Sequence, residues 1–165
     1  LTKESVKTFL QLPTLIVLCL SAITGAVQGQ IRPPVLIAPG TAGFTPEGSL
    51  TNFGHAIAAP GDLNGDGVPD LVVGSASIGG ESGALWFLFL NTDGSVSESR
   101  RYAIDHEGFG QNVVSLGDLD LDGNVDLATR SDRRNWVLFL DSNGNVDREV
   151  FFDGPSGSGL AGVGL

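Results

Sequence analysis

The chain has no methionine, one cysteine, one tyrosine and two histidines among 165 residues. A single cysteine, Cys19, excludes an internal disulfide framework. It sits behind Ile16-Val17-Leu18, which lacks the small residues a lipid-anchored cysteine needs. With Leu1 in place of a start methionine, the chain is expected to be a fragment or to carry a misplaced start. Lysine and arginine number nine against nineteen acids, a formal net charge of −10. Without a basic patch to displace counterions from phosphate, no nucleic-acid partner is expected. No apolar run reaches the roughly 20 residues of a membrane-spanning helix. There is no long Ala/Glu/Lys/Leu periodicity either, and 24 glycines with eight prolines point to many short strands joined by tight turns.

The length allows one ordinary domain with a good core. Residues 1–29 read as a secretory signal peptide: Lys3 and Lys7, an apolar run from Leu12 to Ile23, then small residues. Cleavage is expected after Ala26, with Thr24 at −3, or after Gly29, leaving a secreted or cell-surface chain with no membrane span. Residues 30–51 read as a Pro/Gly-rich linker with one strand-like piece, Val35-Leu36-Ile37.

The acids are concentrated. Seven of the nineteen lie in two nine-residue loops, Asp62-Leu-Asn64-Gly-Asp66-Gly67-Val68-Pro-Asp70 and Asp118-Leu-Asp120-Leu-Asp122-Gly123-Asn124-Val-Asp126. Each has oxygen-bearing side chains at positions 1, 3, 5 and 9 and glycine at position 6. Ca²⁺ takes six to eight oxygens, and alternate side chains turned inward, with a glycine for the sharp turn, supply them. Mg²⁺ fits less well because it demands a tight octahedron and keeps its waters. Polar hairpin turns are the bland alternative, but two copies of the same pattern argue against chance. An EF-hand needs a bidentate Glu at position 12, where this chain has Val73 and Thr129. It also needs flanking helices, whereas Ala56-Ile-Ala-Ala and Leu71-Val-Val look like strands. Dockerin-type loops fail on the same two grounds. Asp141-Ser-Asn143-Gly-Asn145 imitates half a loop but has Val146 where the glycine belongs, and reads as a hairpin turn.

The loops belong to a longer repeat. Phe53-Gly54, Asp62 and Asp70 match Phe109-Gly110, Asp118 and Asp126 at a spacing of 56, while Trp86-Phe-Leu-Phe-Leu90 matches Trp136-Val-Leu-Phe-Leu140 at 50. The shortening falls in the first copy's loop, Ile78 to Gly83. Each repeat reads as four short strands: one before the acidic loop, one after it, the Trp strand, and a last strand (Val96–Ile104; Val146–Phe152). Asn91-Thr-Asp93-Gly94 and Asp141-Ser-Asn143-Gly144 give the hairpin turns. Repeats of this period with four strands each indicate an all-β fold of propeller blades. Residues 52–108 form the first and 109–153 the second. Residues 154–165 read as the start of a third repeat, with Gly162-Val163-Gly164 near the place of Phe-Gly, or as a Gly-rich tail. Two blades leave apolar faces exposed and are too few for a closed propeller, so a larger propeller, or self-assembly if the chain is complete, is expected.

Nothing in these residues argues for catalysis. His55 follows Phe53-Gly54 and reads as structural, and His106 reads as a loop residue beside Asp105 and Glu107. Gly154-Pro-Ser-Gly-Ser-Gly159 lacks a P-loop lysine. Trp86 and Trp136, which could stack on sugars, read as core, and Arg133-Arg134 as a solvated turn.

Asn52-Phe53-Gly54-His-Ala-Ile-Ala followed by Gly61-Asp62 through Asp70-Leu71-Val-Val-Gly74-Ser75-Ala76 resembles the FG-GAP repeat of the integrin α-chain propeller and its secreted bacterial relatives. The resemblance covers about residues 50–152. It implies one blade of a seven-bladed propeller per repeat, with calcium in the loop joining the first two strands. The implied ligands are Asp62, Asn64, Asp66, the Val68 carbonyl and Asp70 in one site. The other would use Asp118, Asp120, Asp122, the Asn124 carbonyl and Asp126. The family's Gly-Ala-Pro element is Gly74-Ser75-Ala76 in the first repeat and Thr129-Arg130-Ser131 in the second. The resemblance also implies that Val35–Ile37 completes a last blade beyond Leu165, and that the chain recognises a protein or carbohydrate ligand. A competing expectation is an ancillary domain of a secreted hydrolase or lyase whose catalytic part lies elsewhere.

Overall fold

The computed structural model describes residues 33–48, 50–76 and 82–153, together with the backbone of 16–18. The expected signal segment (apart from 16–18), Cys19, residues 77–81 of the shortened loop, and the glycine-rich and third-repeat stretches of 154–165 lie outside the described residues.

Ten strands are present among the described residues, and eight of them form two four-stranded antiparallel meanders. The first sheet runs in sequence order through β3 (Phe53–Gly61), β4 (Asp70–Ser75), β5 (Ser82–Leu90) and β6 (Val96–Glu107). The second runs through β7 (Val113–Gly117), β8 (Asp126–Arg130), β9 (Arg134–Leu140) and β10 (Val146–Asp153). These are two propeller blades. Register repeats with the sequence: Ile57 pairs with Val73 and Val73 with Trp86, while Val113 pairs with Thr129 and Thr129 with Trp136.

The blades stack face to face. Alternation puts Val72, Leu85, Phe87 and Phe89 on one face of the first blade. They pack there against Phe109, Val113, Leu127, Trp136, Leu138 and Leu140 of the second. β7 lies alongside β3 and β4. The opposite face of the first blade, with Leu71, Val73, Ala84, Trp86 and Leu88, is covered by the N-terminal segment through Ile37, Phe44 and Leu50. Both middle strands of the first blade are therefore buried on both sides, β4 throughout and β5 from Gly83 onward.

The Phe-Gly motifs show what they do. Phe53 meets Trp86 edge-on at 6.3 Å, and Phe109 meets Trp136 in the same way at 6.0 Å, so each phenylalanine braces the tryptophan of its own blade. Gly110, at φ +80°, turns the chain so that the Phe109 and Gly110 carbonyls press on the first blade. A Cβ on Gly83 would collide with the Phe109 carbonyl, and one on Gly74 with that of Gly110. Arg130 holds the place of Gly74 in the second blade, whose corresponding face meets no further blade among the described residues.

The structure bears on four expectations and corrects two of them, those for His106 and Arg134. Val35–Ile37 (β2) forms a strand and pairs with β1 (Ile16–Leu18), and the last blade it is implied to complete lies outside the described residues. Its Ile37 is buried in the first blade's core, because that face would otherwise be open. His106 lies on β6 and not in a loop, since pairing of Ser82 with Glu107 carries the strand past Ile104. Arg134 is the first residue of β9 and not a solvated turn. It bonds His106 Nε2 at 3.0 Å, lies 4.2 Å over the Phe151 ring and pairs with Asp153 at 3.5 Å. The uncovered apolar surface expected of an open blade is present: Val114, Val150 and Phe152 are exposed on the second blade's outer face. No helix among the described residues is long and apolar enough to cross a membrane.

Candidate metal centre

Both acidic loops connect the first and second strands of their blades and share one hydrogen-bond plan. Asp62 Oδ1 accepts from the N–H of Gly65 at 2.8 Å and of Asp66 at 3.1 Å, and its Oδ2 accepts from Gly67 at 2.7 Å. Asp118 does the same with Asp122 at 3.0 Å and Gly123 at 2.9 Å. Asp66 and Asp122, at position 5, each accept from the backbone N–H two residues on, at 2.8 Å. Position 6 is glycine because the turn needs positive φ, +84° at Gly67 and +93° at Gly123. At position 4 the first loop has Gly65, but the second holds Leu121 at φ +65° and 87% exposed, a conformation bulky residues avoid.

Position 9 ties each loop to its blade. Asp70 is fully buried; its Oδ2 accepts from Leu63 at 2.8 Å and its Oδ1 from Leu90 at 3.0 Å. Asp126, also fully buried, accepts from Leu119 at 2.8 Å and Leu140 at 3.3 Å. One carboxylate thus joins the loop's second residue to the last residue of the Trp strand. Burial pushes the Asp70 carboxyl above its usual range; the Leu63 and Leu90 N–H groups oppose this, and the nearby Asp66 and Asp62 charges add to it. The backbone partners were not visible in the sequence, since they depend on where the Trp strand ends. The repeated Trp-to-Leu spacing is the one signal that pointed to them.

Asp118, Asp120 and Asp126 offer carboxylate oxygens all within 4.8 Å of one another. An ion with bonds of 2.3–2.6 Å holds opposite ligands about 5 Å apart, so this trio fits one hard cation. In the first loop the place of Asp120 is taken by Asn64. Its amide oxygen accepts from the Asp66 N–H at 3.1 Å, and its amide nitrogen donates to Asp66 Oδ2 at 3.0 Å. Asn124 donates likewise to Asp122 Oδ2 at 2.9 Å, and the Val68 N–H to Asp66, so both position-7 residues lie folded onto their loops. No motif singles out Arg148, yet its Nη2 lies 3.0 Å from Asp120 Oδ2. The half-loop at Asp141 is a hairpin turn, with Asp141 accepting from the N–H of Asn143 and Asn145. The Asn145 side-chain amide is the main reason its carboxyl lies below the usual range.

The profile of the FG-GAP-like repeat family matches residues 62–129, from the first acidic loop to just past the second. The chain carries FG-GAP-like repeats. It is 37% identical to integrin alpha-4 of Xenopus laevis over 83 residues, 46% of this chain and 8% of that protein. It is 40% identical to integrin alpha pat-2 of Caenorhabditis elegans over 77 residues, 46% of this chain and 6% of that one. Against human phosphatidylinositol-glycan-specific phospholipase D it is 33% identical over 123 residues, 69% of this chain but 14% of that protein. The FG-GAP chain thus spans a small part of each relative's length.

Proposed function

We propose that this chain is an extracellular, calcium-stabilised β-propeller module with a structural, adhesion or ligand-binding role. The observation that carries this reading is the shared plan of the two loops, each closed by a buried position-9 aspartate. In this reading Asp62, Asn64, Asp66, the Val68 carbonyl and Asp70 hold one Ca²⁺. Asp118, Asp120, Asp122, the Asn124 carbonyl and Asp126 hold the other. Bound cations offset the repulsion among seven carboxylates and cross-link each first hairpin. The proposed division is a signal segment at 1–29, a linker with strand at 30–51, repeats at 52–108 and 109–153, and the start of a third repeat or a Gly-rich tail at 154–165. The signal-like N-terminus supports secretion, and the ligand, protein or carbohydrate, is met away from the loops.

Extracellular calcium modules bind at roughly 10⁻⁴ to 10⁻³ M, and at ten times Kd each site contributes about 1.4 kcal/mol. Adding EDTA to the calcium-loaded chain is expected to lower its Tm, and isothermal titration to count two sites. An unchanged melting curve with no bound calcium by mass spectrometry removes this reading.

The phospholipase D match, which covers more of this chain than either integrin match, favours a second reading. Here the repeats are a non-catalytic propeller domain of a secreted hydrolase or lyase. Transcript sequence flanking this segment separates the two: further repeats support the adhesion reading, and a hydrolase domain supports the second.

A further inference from the structure

Trp86 and Trp136 occupy the same place in the two blades but end differently. The Trp136 Nε1–H donates to Ser131 Oγ at 3.4 Å. Its counterpart Ser75 turns its hydroxyl to the Thr51 carbonyl at 2.7 Å, and the buried Trp86 Nε1 has no hydrogen-bond partner. Buried indole N–H groups usually find one. Trp86 forms part of the wall of a cleft of about 540 Å³ between the loop at 43–47 and β6. That volume lies within the ~300–1,000 Å³ of small-molecule sites.

Side chains of both signs surround it. Thr45 and Glu47 come from the loop, and Ser97, Ser99 and Arg101 from β6. Glu98 also lines the cleft, but Arg100 holds both its oxygens, at 2.5 and 3.1 Å. Glu47 and Arg101 form no ion pair among the described residues, so an acceptor and a strong donor face the same space. The walls are fixed relative to each other: Val96 N–H bonds the Ala42 carbonyl at 2.7 Å, and Gly43 packs so closely on Val96 that a Cβ would collide with its carbonyl.

We infer that this cleft binds a neutral carbohydrate, with sugar hydroxyls accepting from Arg101 and donating to Glu47 beside the Trp86 wall, whose indole reports the occupied cleft. Sugar hydroxyls both donate and accept, which a wall of mixed donors and acceptors requires. A formal net charge of −10 disfavours an anionic guest. The polar walls disfavour an apolar one. The inference rests on the recognition role proposed above and is independent of the calcium sites.

The test follows the indole N–H resonances of the ¹⁵N-labelled full chain, assigned with Trp86→Phe. Glucose, galactose, mannose, N-acetylglucosamine and glucuronate are each titrated to roughly 100 mM, a hundred times a Kd of ~1 mM. A saturable shift at Trp86 and not Trp136 with a neutral sugar is expected, together with at least tenfold weaker binding in Arg101→Ala and Glu47→Gln. The site is overturned if only glucuronate shifts Trp86, or if sugar binding is unchanged in both variants. In the latter case recognition survives at another place. If no sugar shifts any resonance, the carbohydrate arm of the recognition role falls with the site, while the calcium reading stands on its EDTA result.

Discussion

Asp70 and Asp126 hold matching places in two blades: each is fully buried, and each bonds the second residue of its own acidic loop and the last residue of its own Trp strand. A carboxylate suits this place because it has two oxygens and no donor of its own, while every group facing it across these bonds is an N–H. The loop is therefore fastened to the blade by protein groups, and the proposed cation would add to an arrangement already formed.

It follows that position 9 and position 3 are separable. Asp70→Ala leaves the Leu63 and Leu90 N–H groups unpaired and is expected to cost on the order of 3 kcal/mol with or without calcium. Asp70→Asn, with one acceptor oxygen, is expected to lose less. Asp120→Ala removes a side chain bonded to Arg148 at the surface, so its cost is expected only when calcium is present. Urea melts in calcium and in EDTA check all three.

The close approach of the Phe109 carbonyl to Gly83 makes a second expectation. Gly83→Ala places a Cβ against backbone, which yields only if the blades separate. A loss of about 2 kcal/mol or more is expected, and Gly74→Ala, against the Gly110 carbonyl, should behave alike. Arg130→Ala, at the matching place in the second blade, is expected to stay within about 0.5 kcal/mol. Equal losses at Gly83 and Arg130 in urea titration would contradict this.

These contrasts mark what the sequence could tell. The acidic loops were legible because their chemistry is local: alternate oxygens, a glycine at the turn, and a copy 56 residues on. The four strands of each repeat were legible because apolar runs and Asn-Gly or Asp-Gly turns punctuate them. Burial was not. Trp86-Phe-Leu-Phe-Leu and Trp136-Val-Leu-Phe-Leu read almost alike, yet Phe87 and Phe89 are buried while Val137 and Phe139 are half-buried. The difference lies in the neighbour, since the second blade covers Phe87 and Phe89. His106 and Arg134 were misread for a related reason: pairing with Ser82, far away in sequence, extends β6, and β10 gives Arg134 its ring and its carboxylate.

Phe44 tests the N-terminal cover of the first blade. Fully buried, it stacks on Phe53 at 5.0 Å and meets Trp86 edge-on at 5.7 Å. Phe44→Ala is expected to cost about 3–5 kcal/mol, with Trp86 fluorescence reporting a wetter environment. If the segment were loosely laid on the blade, the loss would fall below about 1 kcal/mol.

Tyr102 and Glu149 join the two blades across their outer strands, the phenol donating to the carboxylate while the ring lies 6.2 Å from that of Phe109. Burial first, then the bond to Glu149 and its negative charge, push the Tyr102 hydroxyl well above its ordinary range. In the unfolded chain the same group ionises near pH 10. Between those two values the folded chain keeps a proton that the unfolded chain has lost, so stability falls as pH rises. The contribution is complete below about pH 10 and disappears as pH climbs towards the folded value. Because Tyr102 is the only tyrosine, tyrosinate absorbance reports it alone. The folded chain is expected to show no tyrosinate at about pH 11, and the signal should appear together with unfolding. Glu149→Gln removes the charge and should bring ionisation to lower pH. Tyr102→Phe is expected to cost about 1 kcal/mol and to flatten the alkaline loss. A Tyr102 titration near pH 10 in the folded chain would show that the blades are not joined there.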